Sequence, residues 1–381
     1  MGFPEGKLKD LLIACAQAVE QDKDRDGIDV MLVELRRMVS KSGDPFERLG
    51  AYMLEALVAR MDSSGLSVYK DLNAEEAELM SYMDLFHQAY APFKFAYMSA
   101  NGAIAQALRG QDAIHIIDFN IRDGSQWINL LEALGARPGG APSIRITGIS
   151  DAVPARSRNS KLEFVEGRLS YFAERYNVPF EFHAVAVSGD QVEEGHLAVI
   201  PPRPGGSSGE QEEKEAVVVN FTMELHKISN RDRILRLVKS LSPMVLTLVE
   251  QECDTNSANF FHRFLETLDY HAAVFESLDV ALPARNDKTR MNMEQQFLWR
   301  QIVNIVACEG PDKVEWHELF VQWKARLLKA GFTPHPLSSH VNETTRRLMQ
   351  RYHSSYGFDE RHGVLYLQWK DRKMVVTSAW H

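Results

Sequence analysis

The sequence predicts an α/β protein, in which a largely parallel sheet lies between helices and follows a purely helical region. Three observations support this fold class. Apolar residues recur at helical spacing through the first hundred residues, short β-branched runs then alternate with amphipathic stretches, and two last apolar runs flank a tight turn. Strands that alternate with helices favour right-handed crossovers and a parallel sheet covered on both faces.

Five helices are predicted in the first part of the chain, because apolar residues recur there every three or four positions. Asp44 followed by Pro45 predicts the start of the third, since aspartate caps a helix and proline fits its first turn. The first helix begins so close to residue 1 that we expect a domain taken from a longer chain. The predicted helices span 7–20, 31–39, 44–61, 74–90 and 93–109.

Strands and helices alternate after residue 110. Each strand is a short run rich in β-branched residues, and each helix is a longer amphipathic stretch. The predicted strands are 113–119, 144–149, 180–187, 216–221 and 244–250, and the helices between and after them are 126–134, 159–176, 231–240 and 260–278. Two further helices (292–308 and 316–330), a strand candidate (332–337) and an antiparallel hairpin (364–369 with 374–378) complete the order.

Five alternating strands followed by an antiparallel pair is the element order of S-adenosylmethionine methyltransferases. We therefore expect a Rossmann-like, seven-stranded sheet of the methyltransferase type with an N-terminal all-helical cap. The predicted cap comprises residues 1–105, joined by part of 280–330, and the predicted core comprises 106–381. Residues 201–215 are rich in Pro, Gly, Ser and Glu, which predicts a surface loop.

Composition restricts the classes of function. Charged residues make up 25% of the chain and the formal net charge is −9, so any contact with nucleic acid requires a local basic patch. The three cysteines form no C-x-x-C pair, and we expect neither a disulfide framework nor a metal site. No run of 18 apolar residues and no signal sequence is present, which predicts an intracellular protein without a membrane span.

Ordered motifs across nearly the whole chain resemble the plant GRAS family, in its scarecrow-like branch. Residues 114–118 (IHIID) resemble the VHIID motif of that family, and residues 377–380 (TSAW) resemble its SAW motif. Two residues depart from the family pattern: Gln301 stands where an acid is usual, and Trp316 stands where an arginine is usual. The stretches around Leu11 and at 162–176 resemble its two leucine-rich regions, and 217–226, Pro243, 261–278 and 300–310 resemble its PFYRE region.

The resemblance implies a nuclear transcriptional regulator in development or in light or hormone signalling. It also implies homodimers, or heterodimers with other GRAS proteins. Partner transcription factors are expected, with DNA contacted directly or through them. The sequence itself shows no helix-turn-helix, zinc-finger or basic-zipper signature, so direct DNA reading and recruitment through partners both stay open.

The loop after the first predicted strand argues against an enzyme. A methyltransferase has an acid at this strand end and then a Gly-x-Gly-x-Gly loop, whose glycines let the backbone approach the cofactor. Asp118 supplies the acid, but Asn120 and Arg122 stand at the first two glycine positions, and only Gly124 remains. The sequence therefore predicts no methyl transfer and no cofactor.

A vestigial ligand pocket is the alternative for the same edge of the sheet. Carboxyl ends of parallel strands form the crevice in which such sheets bind ligands. A methyltransferase, or a sensor of small molecules that uses the crevice beside Asp118, is therefore the second hypothesis. Its candidate residues are Asp118, Asn120, Arg122, Asp151, His226 and Glu250.

Three clusters of basic residues are candidate DNA contacts. Phosphate neutralisation needs clustered Lys and Arg, and these clusters stand out against an acidic chain. For any one cluster taken alone, a solvated helix face is the favoured interpretation. The clusters are Arg145, Arg156, Arg158 and Lys161; Arg285, Lys288 and Arg290; and Arg346, Arg347 and Arg351.

Overall fold

The computed structural model describes residues 5–22, 25–71, 76–150, 155–197, 215–282 and 287–381. One mixed sheet lies at its centre, with strand order β3-β2-β1-β4-β5-β9-β8-β7 and the short β6 paired to β9. Neighbours among β1 to β5 are parallel, whereas β9 is antiparallel to β5. The strands are β1 (Ala113–Asp118), β2 (Ser143–Ile149), β3 (Phe180–Val185), β4 (Ala216–Thr222), β5 (Val245–Gln251), β6 (Pro334–His335), β7 (Tyr356–Arg361), β8 (Val364–Trp369) and β9 (Arg372–Trp380).

The order β3-β2-β1-β4-β5 is that of a doubly wound sheet, so the predicted Rossmann-like class is confirmed. Strand β4 is buried at every position, as a strand covered on both faces requires. Helices connect the parallel strands and cover the sheet. They are α7 (Ser125–Gly135), α8 (Ala155–Arg175), α9 (Arg231–Ser240) and α10 (Phe260–Ala281).

The described part of the chain before the sheet forms six helices, and the predicted start of the third is confirmed. Asp44 accepts hydrogen bonds from the backbone nitrogens of Phe46 and Glu47, both at 2.9 Å, and so caps α3. Helix α6 packs against β4, β5 and β9, next to the sheet. The division into a cap at 1–105 and a core at 106–381 stays a prediction. The six helices are α1 (Glu5–Glu20), α2 (Arg25–Met38), α3 (Pro45–Met61), α4 (Gly65–Asp71), α5 (Glu76–Ala89) and α6 (Ala91–Ala107).

The predicted helix at 292–308 is interrupted. The end of α11 (Asp287–Met293) runs into a π-helical turn at Glu294–Trp299, and α12 (Arg300–Ala307) follows. Helix α12 packs against α3 and α4, and α3 packs against α10. The chain from 280 to 330 therefore contacts the N-terminal helices.

Three other boundaries differ from the prediction. Helix α13 (Phe320–Lys329) begins four residues later than expected, because the chain before it is extended and buries polar side chains. Only two residues of the strand expected at 332–337 pair with β9. Strand β7 was not predicted. It pairs with β8 at the edge of the sheet, and its residues are half-buried or exposed. With β6 and β7, the described residues form nine strands rather than the expected seven.

The last helix and the hairpin complete the fold. Helix α14 (Ser339–Met349) packs against α6, and β8 and β9 form the predicted hairpin. Trp380 is buried beside β5, which ties the last strand to the centre of the sheet. Among the described residues, no helix is long and apolar enough to cross a membrane.

Candidate functional site

The carboxylate of Asp118 ends β1 at the carboxyl edge of the sheet, and the chain itself satisfies it. The indole nitrogen of Trp127 donates to Oδ2 at 2.7 Å. Asn220 Nδ2 and the backbone nitrogen of Asn120 donate to Oδ1 at 3.0 and 3.2 Å. Burial raises the pKa of Asp118 above its ordinary value although these donors lower it. Both oxygens are therefore engaged inside the core.

The two residues at the glycine positions also make internal contacts. Asn120 Nδ2 donates to Oε2 of Glu224 at 2.8 Å. Arg122 adopts a left-handed backbone with φ of 50°, a conformation that glycine adopts without strain. Its guanidinium carbon lies 4.9 Å from the centre of the Phe93 ring, and its Nη2 lies 3.5 Å from the carbonyl of Met223. The Arg122 side chain thus spans the crevice between α6 and the loop after β4.

Asp123 lies at the N-terminus of α7, where nucleotide-binding sheets hold a phosphate group. Its Oδ1 accepts from the backbone nitrogen of Ser125 at 3.1 Å, and its Oδ2 accepts from Arg168 Nη1 at 2.9 Å. A carboxylate of this chain therefore takes the place of an external anion. The sequence analysis missed Asp123, although an aspartate two residues before a helix start is a capping signal.

Five of the six predicted pocket residues come together at this edge. Asn120 contacts Asp118 and Glu224, and the backbone nitrogen of Glu224 donates to Oε1 of Glu250 at 3.1 Å. Glu250 Oε2 in turn lies 2.7 Å from Nδ1 of His226. Asp151, the sixth residue, lies outside the described residues.

The space beside these residues is small. A cavity of about 140 Å³ lies between the loop after β4, helices α5 and α6, and the π-helical turn. Pockets that bind small molecules usually have volumes of about 300–1,000 Å³. The cavity can hold waters or an ion, but it cannot hold a nucleoside cofactor. Arg122, Phe93, His226, Gln301 and Glu315 are among the residues that line it.

Two histidines and two glutamates form a buried cluster on one side of this cavity. His226 lies between the carboxylates of Glu250 and Glu315, at 2.7 and 3.0 Å. The ring of His317 stacks on that of His226, with centroids 4.1 Å apart and planes 21° apart. His317 Nε2 lies 3.5 Å from Oε2 of Glu315. Glu315 and His317 come from the extended segment before α13, which the sequence analysis placed at the edge of a helix.

The two histidines of this cluster differ in protonation state. Burial alone would lower the pKa of His226, but Glu250 and Glu315 raise it to about 9. Burial, and then the charge on His226, hold the pKa of His317 well below its usual value. The contact with His226 outweighs burial at Glu315 and lowers the pKa of that carboxyl. At neutral pH, His226 is therefore protonated between two carboxylates, and His317 is neutral.

A buried polar network behind Asp118 was also missed. Asn220 is fully buried in the middle of β4, and it accepts from Thr247 Oγ1 at 2.9 Å and from Gln126 Nε2 at 3.3 Å. Asn101 of α6 donates to the backbone oxygen of Gln126 at 2.7 Å. The network joins α6, α7 and two strands of the sheet. An asparagine inside an otherwise apolar strand was the sequence signal that could have revealed it.

The sequence profile of the GRAS domain family matches residues 8–381. This chain belongs to the GRAS domain family. Chitin-inducible gibberellin-responsive protein 2 of Oryza sativa subsp. japonica is 56% identical over all of this chain and 70% of that protein. Scarecrow-like transcription factor PAT1 of Arabidopsis thaliana is 50% identical over 97% of this chain and 75% of that protein. The predicted scarecrow-like branch is therefore confirmed.

The fold of this GRAS domain also matches a solved structure. SCL7 of Oryza sativa is 32% identical and superimposes with a TM-score of 0.81. The match covers 98% of this chain and 99% of that one. The helices before the sheet and the α/β sheet thus form one arrangement that two GRAS proteins share.

The basic residues of this GRAS domain differ in their surroundings. Arg145 lies 2.8 Å from Glu215 and 3.8 Å from Glu181, and its side chain is largely buried. Arg290 is buried beside Glu294 and Asp279. Neither guanidinium faces solvent, because internal carboxylates engage both.

The other candidate contacts are exposed, part-exposed or not described. Lys161 is half-buried and lies 3.4 Å from Ser150 Oγ. Arg346 and Arg347 share the carboxylate of Glu343 on α14, and the Arg347 side chain is 74% exposed. Lys288 and Arg351 are exposed. Arg156 and Arg158 lie on the first turn of α8, with side chains that the structure does not describe, and Arg285 lies outside the described residues.

Proposed function

We propose that this GRAS domain regulates transcription in the nucleus by binding partner proteins and DNA, and that it transfers no methyl group. One observation carries the proposal: the chain's own side chains occupy the crevice in which this fold binds its cofactor. Arg122 spans the crevice over Phe93, and Asp123 takes the anion position at α7. The printed name of the relative PAT1, a transcription factor, supports the same function.

Self-association through the N-terminal helices is the first part of the proposal. Val30 and Val33 on α2 are 70% and 46% exposed, which is unusual for two apolar residues on one helix. A shallow groove of about 640 Å³ lies between the C-terminal end of α2, α3 and α4, and it reaches Trp299 of the π-helical turn. Its walls include Val39, Leu54, Val58 and Val68. A second copy of this domain, or another GRAS protein, presents a surface of the same chemistry.

Direct DNA contact is the second part, and we assign it to basic residues on and beside α14 and on α8. Arg346 and Arg347 on α14, with Arg351 two residues after its end, outnumber the nearby carboxylates of Glu343 and Glu360, so positive charge is in excess there. On α8, Arg156, Arg158 and Lys161 follow β2 near the carboxyl edge of the sheet. Phosphate contacts by either set would be independent of sequence, so promoter choice would rest on partner transcription factors.

A salt titration of binding to a promoter fragment tests direct contact. The logarithm of affinity should fall against the logarithm of salt concentration with a slope of about −0.9 for each phosphate neutralised. The double variant Arg347→Ala/Arg351→Ala, or the triple variant Arg156→Ala/Arg158→Ala/Lys161→Ala, should weaken binding and flatten the slope. The control Lys9→Ala/Arg37→Ala removes two exposed charges of α1 and α2 and should leave the slope unchanged.

Three outcomes contradict this part of the proposal. The intact domain fails to bind DNA at about 50 mM salt, where phosphate contacts are strong. Both multiple variants bind with the slope of the intact domain. The control weakens binding as much as either variant. The first result would leave recruitment through partner proteins as the mode of action. Either of the other two would rule out these basic residues as the DNA contacts.

A further inference from the structure

We propose that His226, Glu315, His317 and Gln301 form a binding site for a divalent cation of the Zn²⁺ type, with a structural role. The ligand atoms already converge. Glu315 Oε2 lies 3.0 Å from Nε2 of His226 and 3.5 Å from Nε2 of His317. Tetrahedral zinc with bonds of about 2.0–2.1 Å holds its ligand atoms roughly 3.3 Å apart. All three atoms lie within 4.8 Å of one another, so one cation can bind them after the local adjustment described below.

The far side of each imidazole ring is held by a second partner. Nδ1 of His226 lies 2.7 Å from Oε2 of Glu250, and Nδ1 of His317 lies 2.9 Å from Oγ1 of Thr255. A partner on Nδ1 fixes the ring and turns Nε2 toward the metal in zinc proteins, most often through a carboxylate. Both rings of this cluster have that arrangement.

The Nε2 atom of His226 is a second and independent observation. It is buried, and within the described part of the chain it makes no hydrogen bond of good geometry, although Glu315 lies close to it. A buried polar nitrogen without such a bond is rare in native proteins. A cation bound to both atoms would replace the proton that lies between His226 and Glu315.

Gln301 completes the set of four. Its Oε1 lies 3.1 Å from Nε2 of His271, and its NH₂ nitrogen lies 3.1 Å from Nε2 of His317 and 3.5 Å from Oε2 of Glu315. Coordination by its oxygen therefore requires the amide group to turn over. Nδ1 of His271 donates to the carbonyl of Thr267, so its Nε2 is an acceptor while the ring is neutral. The amide satisfies His271 when its NH₂ group turns that way, and its oxygen then faces His317 and Glu315. An amide oxygen is a hard donor that can complete the coordination.

Coordination by both histidines requires one ring to rotate. A metal bound to an imidazole lies close to the plane of that ring, and these two rings stack with planes only 21° apart, so their planes do not yet meet at one ion. The cavity of about 140 Å³ beside His226, Gln301 and Glu315 provides room for this movement and for a water. The bound cation would join the loop after β4 to the segment before α13. This role is independent of the proposed action in transcription.

Metal titration of the full 381-residue chain tests the proposal, after dialysis against a chelator. Co²⁺ should bind at one ion per chain with the visible absorption of a tetrahedral nitrogen and oxygen site, and Zn²⁺ should displace it. Zn²⁺ should also raise the melting temperature, because a ligand that binds only the folded state stabilises it. His317→Gln and Glu315→Gln should abolish these signals. The control His115→Gln changes a buried histidine outside the cluster and should bind Co²⁺ normally.

A milder variant covers the case in which those variants fail to fold. Thr255→Val removes the hydroxyl that lies 2.9 Å from His317 Nδ1 and that accepts from the backbone nitrogen of His317 at 3.0 Å. The loss of such a second partner weakens metal affinity about 10-fold or more. Absence of one-to-one Co²⁺ binding by the intact chain overturns the proposal. So does binding that persists at full strength in folded His317→Gln and Glu315→Gln, or, where those do not fold, in Thr255→Val.

Discussion

The indole nitrogen of Trp127 lies 2.7 Å from Oδ2 of Asp118, and both side chains are buried. Asp118 ends β1 and Trp127 lies in the first turn of α7, so this bond closes the β1–α7 connection from the inside. A carboxylate at this edge of a doubly wound sheet is well placed to meet a ligand. Here the carboxylate belongs to the core, where groups of the chain itself donate to both of its oxygens.

Replacement of Trp127 by Phe tests the strength of that bond. The variant removes the only side-chain donor to Oδ2 of Asp118 in the described residues, and a hydrogen bond to a charged group contributes about 1.5–3 kcal/mol. Trp323→Phe is the matched control, because Trp323 is also fully buried but its Nε1 has no partner within the described residues. Urea denaturation should show a larger loss for Trp127→Phe by about that amount. Equal losses would show that the bond contributes nothing.

Acid should destabilise the domain through its buried histidines, of which His115 is the clearest. Burial, and then the charge of Arg145, lower the pKa of His115 to about 4. The unfolded chain takes up a proton near pH 6.5 and the folded chain does not, so stability falls as the pH drops from about 6.5 to 4. One such group contributes a slope of about 1.4 kcal/mol per pH unit.

The variant His115→Gln isolates this effect. Gln can still bond to Thr147, which lies 2.8 Å from His115, but it cannot titrate. The free energy of unfolding should be measured by denaturation from pH 7 to 4.5. Its slope against pH should be smaller in the variant than in the wild type, by the amount that corresponds to the uptake of about one proton. His262→Gln, at an exposed histidine of α10, should follow the wild-type curve. Parallel curves for His115→Gln and the wild type would refute this assignment.

Dimer formation should depend on the exposed face of α2. A stable interface buries about 1,200 Å² or more in total and has an apolar centre, and a charge placed there weakens it. Val30→Glu should therefore shift the domain toward monomer in sedimentation at tens of micromolar. Val321→Glu on α13 is the matched control, since Val321 is 67% exposed and Val30 is 70% exposed. A monomeric wild type, or equal effects of the two variants, would count against the α2 face.

Sequence periodicity predicted most of the sheet because β1, β2, β4 and β5 are largely buried and rich in β-branched and other apolar residues. It failed at β7, where an edge strand with one partner tolerates the polar run Asp359–Arg361. It also extended a helix over the segment before α13, where buried Glu315 and His317 pair with residues distant in the chain. Local patterns do not reveal such partners.

The candidate site shows the same limit. Asp118, Asn120 and Arg122 were predictable, because a residue type in a known loop position is a local signal. Asn220 and Asp123 were not, since their importance comes from contacts with other elements of the fold. Proximity in space, rather than residue type, decides which polar groups of this crevice are already satisfied.

Calorimetric titration of the domain with S-adenosylmethionine tests the central claim most directly. The claim is that Arg122, Asp123 and the Trp127–Asp118 bond leave no room for the cofactor at the carboxyl edge of the sheet. We predict no binding tighter than about 1 mM, which corresponds to roughly −4 kcal/mol. A one-to-one complex with a micromolar dissociation constant would contradict the claim and would restore the methyltransferase hypothesis.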